Sequence, residues 1–180
     1  FPFVYASDNK IGPLNQAKEN VNYYNLADRI ELIKADGLNS LNDKIDTITI
    51  TGMGGLTINK MFLENKNKLT NIKTIILSPN NFIKEVRETI NKLGYHLKDE
   101  ELVEESDKLY HILVFSKGNK TYSDKELYFG PILMTKNKEI IKKYYRNELS
   151  NINNLLLNNS IPRERQEELR KIKKYLEDAC

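Results

Sequence analysis

The chain has 180 residues, 39% of them hydrophobic and 29% charged, with a formal net charge of only +3. That length suits one domain of ordinary size with an appendage, and so small a charge does not by itself announce a nucleic-acid partner. One cysteine, Cys180, excludes a disulfide framework or a cysteine-built metal site within the chain. No apolar run reaches the roughly 18–20 residues of a membrane span, and no signal peptide is visible, so the expectation is a cytoplasmic protein without a membrane partner.

The sequence begins Phe1-Pro2-Phe3-Val4-Tyr5-Ala6-Ser7-Asp8, without Met and already in a strand. Gly12-Pro13 opens a helix, with Leu14, Ala17, Val21 and Tyr24 at helical spacing. Ile30 to Ile33 is a second strand, ending at Ala35-Asp36-Gly37. Asp46 to Thr51 is a third and runs straight into Gly52-Met53-Gly54-Gly55. Ile58, Met61 and Phe62 predict a helix behind it. Ile72 to Leu77 is a fourth strand, closed by Ser78-Pro79-Asn80-Asn81. Phe82, Val86, Ile90 and Leu93 give the next helix, stopped by Gly94. Two long strands separated by Ser106-Asp107 then predict an antiparallel hairpin.

Beyond residue 135 the pattern changes. Ile141, Tyr145, Leu149, Ile152 and Leu156 recur with gaps of 4, 4, 3 and 4, and Leu169, Ile172 and Leu176 with gaps of 3 and 4. Asn158 to Pro162 separates the two runs. The narrow apolar seam predicts an antiparallel helical hairpin close to a coiled coil, too thin to bury much alone. This tail carries the whole positive excess: residues 136–180 hold 11 Lys+Arg against 7 Asp+Glu, and residues 1–135 hold 17 against 18. The expected division is therefore 1–135 and 136–180.

Alternating strands and helices with a terminal hairpin imply an α/β fold, a mostly parallel sheet covered on both faces. Ligands of such sheets sit at the carboxyl ends of the strands. Asp8, Asp36-Gly37, Gly52 to Gly55 and Pro79-Asn80-Asn81 all fall at those ends. A strand-end carboxylate can accept from a ribose diol, which suits Asp8, although a helix cap or surface turn explains a lone Asp equally simply. Asp36 can accept from an adenine amino group while Gly37 lets the ring lie against the backbone; a plain turn is the competing reading. Gly52, Gly54 and Gly55 leave a ledge free of side chains. Asn80 and Asn81 offer amide donors and acceptors to a base edge, or simply cap a helix. His96 and His111 fall in or beside the terminal hairpin and read as strand residues. Asp99, Glu100, Glu101, Glu104 and Glu105 read as a solvated strand face, and no metal site is expected.

The segments "ASDNKIGPLNQAKENV", "IELIKADGL", "DTITITGMGGLTI", "TIILSPNN", "LGYHLKDEELVEESDKLYHILV" and "ELYFGPIL" occur in this order in one family. The chain resembles the bacterial tRNA (adenine(22)-N1)-methyltransferases over nearly its whole length. The resemblance implies a Rossmann-like class I methyltransferase sheet with a C-terminal coiled-coil hairpin. It implies S-adenosylmethionine as cofactor, tRNA as partner and methyl transfer to N1 of an adenine in the D-arm. Asp8 would hold the ribose of the methyl donor, and Asp36-Gly37 its adenine. Gly52, Met53 and Gly54 would border the reaction centre, with Gly52 also against the donor. Asn80 and Asn81 would orient the base. Members of this family place a helical segment, a strand and a Gly-rich loop ahead of the strand that opens this sequence. The resemblance thus implies a sheet incomplete at its N-terminus, with the absent strand falling between Phe3–Ser7 and Asp46–Thr51. From this the expectation is a fragment or shortened product that binds S-adenosylmethionine weakly or not at all.

Adenine N1 carries a lone pair in the neutral base, so attack on a methyl group needs positioning more than a general base. A paired or stacked adenine must first be turned out of its helix. Tyr110 is a candidate for stacking on it, although a packed position in the hairpin is the simpler reading. Lys142, Lys143, Arg146, Arg170, Lys171, Lys173 and Lys174 suit phosphate contacts, or equally a solvated face with i,i+4 pairs. Two other functions fit parts of the pattern: a catalytically inactive methyltransferase-like module that holds RNA or protein, and a nicotinamide-dependent oxidoreductase. A monomer is expected.

Overall fold

The computed structural model of the protein describes residues 3–136, 138–158 and 160–178. Phe1, Pro2, Asn159 and Cys180, named above, lie outside the described residues. The elements in order are β1 (Val4–Asp8), α1 (Ile11–Tyr23), β2 (Ile30–Lys34), β3 (Thr47–Met53), α2 (Gly55–Glu64), β4 (Thr74–Pro79), α3 (Ile83–Lys92), β5 (Tyr95–Glu105), β6 (Lys108–Lys117), α4 (Asp124–Phe129), α5 (Glu139–Leu156) and α6 (Arg163–Glu177).

The strands form two sheets where the sequence predicts one. β1 and β2 pair in parallel, from Val4 opposite Ile30 to Asp8 opposite Lys34. The second sheet has the order β3-β4-β6-β5. β3 and β4 are parallel, whereas β6 runs antiparallel to both β4 and β5. Among the described residues no ladder joins β1 to β3. The β5–β6 turn places Ser106 and Asp107 at φ 49° and 62°. Both central residues are therefore left-handed, the backbone twist that a two-residue hairpin requires.

β4 begins two residues later than the apolar run suggests. The backbone N–H of Ile72 donates to the carbonyl of Leu69, closing a turn, and the Tyr95 hydroxyl donates to the carbonyls of both Leu69 and Ile72. Ile72 is buried, but its backbone is committed to the turn and not to the ladder.

The main core lies between the four-stranded sheet and α2 and α3. Ile58, Phe62, Ile75, Leu77, Val86, Ile90, Leu113 and Phe115 are fully buried there. A second apolar cluster joins Leu102 of β5 with Phe129, Leu133 and the seam residues Ile141, Tyr145, Ile152, Leu169, Ile172 and Leu176. The two C-terminal helices thus rest on the body of the protein as well as on each other, as their thin apolar seam demands.

The run read as a solvated acidic face contains one residue that is nothing of the kind. Glu100 is wholly buried, and its Oε1 accepts from Arg87 Nε at 2.7 Å. Its Oε2 accepts from the backbone of Ile132 and Leu133, and Arg87 Nη1 donates to the carbonyls of Leu127 and Tyr128. One ion pair therefore ties α3, β5 and the α4 region together. Gly130 lies directly on it. A Cβ there would fall 2.7 Å from both Arg87 Nη2 and Glu100 Oε2, and the residue has φ 91°. The Phe129-Gly130-Pro131 signature is therefore a packing requirement. Asp99 and Glu101 do face outward, paired with Lys136, whose hydrogen bonds hold both carboxyls below their ordinary range.

Candidate active site

The carboxyl ends of β1, β2, β3 and β4 collect the residues that the sequence singles out. β1 and β2 are paired neighbours, so Asp8 and Asp36 share one edge. Asn9 Nδ2 donates to Asp36 Oδ1 at 3.2 Å and links the two strand ends. Asp8 Oδ1 accepts from the backbone N–H of Lys10 at 2.8 Å. One oxygen of Asp8 thus serves the turn, and the second remains for a ligand. Gly37 has φ 54°, and a Cβ there would stand 2.9 Å from Met61 Sδ. Conformation and packing both demand the missing side chain.

β3 ends in an irregularity. Its register against β4 shifts between Thr51 and Met53, which leaves Gly52 as the extra residue at φ 71°. Such a bulge re-aims the backbone that follows. A Cβ on Gly52 would meet nothing within 4 Å, so the glycine is there for its conformation. Gly54 also has room for a Cβ, its nearest neighbour being Asn81 Oδ1 at 3.5 Å, an ordinary contact distance. Gly55 differs: a Cβ would fall 2.3 Å from the carbonyl oxygen of Asn81 and 3.0 Å from Phe82 Cβ. Gly54 therefore offers a ledge to a ligand, while Gly55 lets α2 begin against the neighbouring turn.

Asn80 and Asn81 staple that turn to the ledge. The Asn80 backbone donates to the carbonyl of Met53, and Asn80 Nδ2 donates to the carbonyl of Gly52, both at 3.0 Å. Asn81 Oδ1 accepts from the backbone N–H of Gly55 at 3.0 Å. These partners fix both amide orientations, because only the NH2 end of an Asn amide can donate to a carbonyl and only its oxygen can accept from an N–H. Asn80 is left with its Oδ1, an acceptor, and Asn81 with its Nδ2, a donor. Both side chains are exposed. The staple sharpens the sequence reading, since half of each amide is already used within the protein.

Other singled-out residues lie in the β5–β6 hairpin. His96 and His111 are in β5 and β6. His111 is buried, and desolvation together with the nearby Arg87 charge drives its imidazole down to about 3. Tyr110 pairs with Val103 across the hairpin and is 36% exposed, so it is not a core residue. A depression of about 400 Å³ lined by Tyr5, Glu31, Ile33, Asn42, Asp43 and Lys44 does not include the strand-end acids or glycines. Among the described residues no group of three or more His, Cys, Asp or Glu is placed to hold a metal ion.

The basic candidates of the C-terminal helices divide into two groups. Lys142 pairs with Glu139 at 3.2 Å, Lys143 with Glu104 at 2.6 Å, Lys171 with Asp124 at 2.7 Å and Lys173 with Glu177 at 3.7 Å. Arg170 meets the Gln166 amide. Arg146 and Lys174 are exposed, with no carboxylate partner among the described residues. The sequence shows the surplus of charge but not which cations are already answered.

Parallel strand pairs joined through helices, β1-α1-β2 and β3-α2-β4, with a terminal antiparallel hairpin, fit the Rossmann-like methyltransferase fold. A solved Streptococcus agalactiae protein of the NADB-Rossmann superfamily shares this fold, with a TM-score of 0.88 and 32% identity over 99% of this chain and 80% of that one. The chain belongs to the tRNA (adenine(22)-N(1))-methyltransferase family, whose model matches residues 2–179. It is 32% identical over 145 residues to the Bacillus subtilis (strain 168) tRNA (adenine(22)-N(1))-methyltransferase, a match spanning 77% of this chain and 61% of that protein. It is also similar to a Streptococcus pneumoniae putative tRNA (m1A22) methyltransferase solved with S-adenosyl-L-methionine. That structure gives a TM-score of 0.89 and 27% identity, over 99% of this chain and 81% of that one.

Proposed function

We propose that the protein transfers a methyl group from S-adenosylmethionine to N1 of adenine 22 in the D-arm of tRNA. The observation that carries this reading is a pair of strand-end clusters, one at the carboxyl ends of β1 and β2 and one at those of β3 and β4. Asp8 and Asp36 are linked through Asn9, and the Gly52–Gly55 ledge is stapled to Asn80 and Asn81. The first cluster fits a nucleoside: a free carboxylate oxygen for the ribose diol and an Asp-Gly pair beside which adenine can lie. The second cluster fits a planar base with no side chain in its way. The names of the B. subtilis and S. pneumoniae relatives support the same substrate and the same donor.

When bound, S-adenosylmethionine supplies an electrophilic methyl group. The protein's own residues then have to orient the adenine and exclude water, because N1 already carries its lone pair. We assign Asn80 Oδ1, whose amide nitrogen is already spent on Gly52, to accept from the exocyclic amino group. That contact would leave N1 free of donors and would disfavour guanine, which presents a carbonyl there. We assign the chemistry to residues 1–135. Residues 136–180 act as a coiled-coil arm that meets tRNA phosphates, chiefly through Arg146, Arg170 and Lys174. Lys142, Lys143, Lys171 and Lys173 would have to release their carboxylates first. A cytoplasmic monomer fits this role.

The test is to incubate the protein with tRNA and methyl-labelled S-adenosylmethionine and map the label. Label on N1 of an adenine in the D-arm is expected. Label on another atom, or none while tRNA still binds, overturns the assignment.

A further inference from the structure

We propose that Phe82 is the platform on which the target adenine stacks once it is turned out of the tRNA; this rests on the methyl-transfer reading above. Phe82 follows the Asn80-Asn81 staple and precedes α3, at the sheet edge where the base must arrive. It is 46% exposed, whereas Phe62, Phe115 and Phe129 are 0–1% exposed. Its backbone is left-handed, at φ 53° and ψ 44°, a region that bulky L residues seldom occupy. It is also the N-cap of α3 and makes no side-chain cap hydrogen bond. Asn or Asp would satisfy both the cap and the left-handed backbone better. A residue that local preference rejects twice, at a site edge, points to a role in the site.

The surroundings say what that role is. The preceding residues are held by three hydrogen bonds to the Gly52–Gly55 ledge. Phe82 Cβ lies against Gly55, within 3.0 Å of where a Cβ of that residue would stand. The root of an exposed aromatic side chain is thus anchored against Gly55, one residue from the open Gly54. Leu56, next to Gly55 in the first turn of α2, is 54% exposed and adds apolar surface close to the ledge in sequence. A purine out of its helix needs a π face and dry walls, and base–aromatic stacking supplies both without reading sequence.

The test compares Phe82→Asn and Phe82→Trp with the unaltered protein. Asn suits a left-handed N-cap, so Phe82→Asn should melt at the same temperature or higher. Its kcat/KM for tRNA should nevertheless fall about 10- to 100-fold, the range that loss of one stacked base implies. Phe82→Trp should stay within severalfold of the unaltered protein. A direct readout uses tRNA with 2-aminopurine at the target position, whose fluorescence should be brighter bound to Phe82→Asn than to the unaltered protein. Full activity and equal fluorescence in Phe82→Asn overturn the proposal, as does an activity loss found in Tyr110→Ala instead. If the unaltered protein methylates no adenine, the methyl-transfer reading fails, and the fluorescence comparison still decides whether Phe82 meets the base.

Discussion

Gly54 and Gly55 are adjacent, but the space beside them is not alike. Gly54 has an extended backbone, at φ −65° and ψ 138°, and room for a Cβ; Gly55 has a carbonyl oxygen 2.3 Å from where a Cβ would stand. Gly54→Val should therefore abolish methyl transfer while shifting the melting temperature little. Gly55→Ala should cost stability, about 1–3 kcal/mol by overpacking, and can be read from urea unfolding. The buried pair behaves differently again. Glu100→Gln leaves the Arg87 guanidinium in the core without its counter-charge, and about 3–5 kcal/mol should be lost. Chemical denaturation measures it, and a loss under about 1 kcal/mol would contradict the role assigned to the pair.

His111 gives a pH dependence whose sign is fixed. Its folded value is about 3 against an ordinary 6.5, so the unfolded chain takes up the proton first as pH falls. Its contribution to stability is present above about 6.5 and is lost progressively toward about 3, by up to about 1.4 kcal/mol per pH unit within that window. Glu148, raised by burial, acts in the opposite sense and favours the fold at lower pH. Comparing urea unfolding at pH 7 and pH 4.5 should show a smaller difference in His111→Phe than in the unaltered protein. Equal differences would mean that His111 is not held neutral.

At the scale of elements, β1, α1 and β2 differ from the rest. Val21 is the one buried hydrophobic residue in this stretch of the described chain, and Phe3, Val4, Tyr23 and Tyr24 are exposed. Local opening is easiest where few apolar contacts resist it. Amides of β1 and β2 should therefore exchange with deuterium well before those of β4 and β6, and equal protection would contradict the contrast. The period-2 and helical patterns made these elements legible, because a buried face imposes its spacing on the sequence. Two signals were present but carry less: Ser123 and Glu126 stand at capping-box spacing and do cap α4, and Arg87 adjoins Val86 within the apolar stripe of α3. A charged residue inside such a stripe has to find a buried partner. That the partner is Glu100 depends on contacts between distant elements, which spacing along the chain does not encode.

At the scale of the whole molecule, the candidate strand-end residues could be picked out from the sequence because parallel strands joined through helices send their carboxyl ends the same way, so residue type and order suffice to propose them. Their finer division could not. Which half of each Asn amide is spent on the protein, and which lysines already hold carboxylates, depends on packing in three dimensions. The same topology makes the central claim directly measurable, even for weak binding. The ¹⁵N-labelled protein is titrated with S-adenosylhomocysteine and its amide chemical shifts are followed. The shifts should concentrate on residues 8–10, 36–38, 52–55 and 80–82. Shifts centred instead on Tyr5, Glu31 and Asn42–Lys44, with the strand-end residues unmoved, would contradict the site.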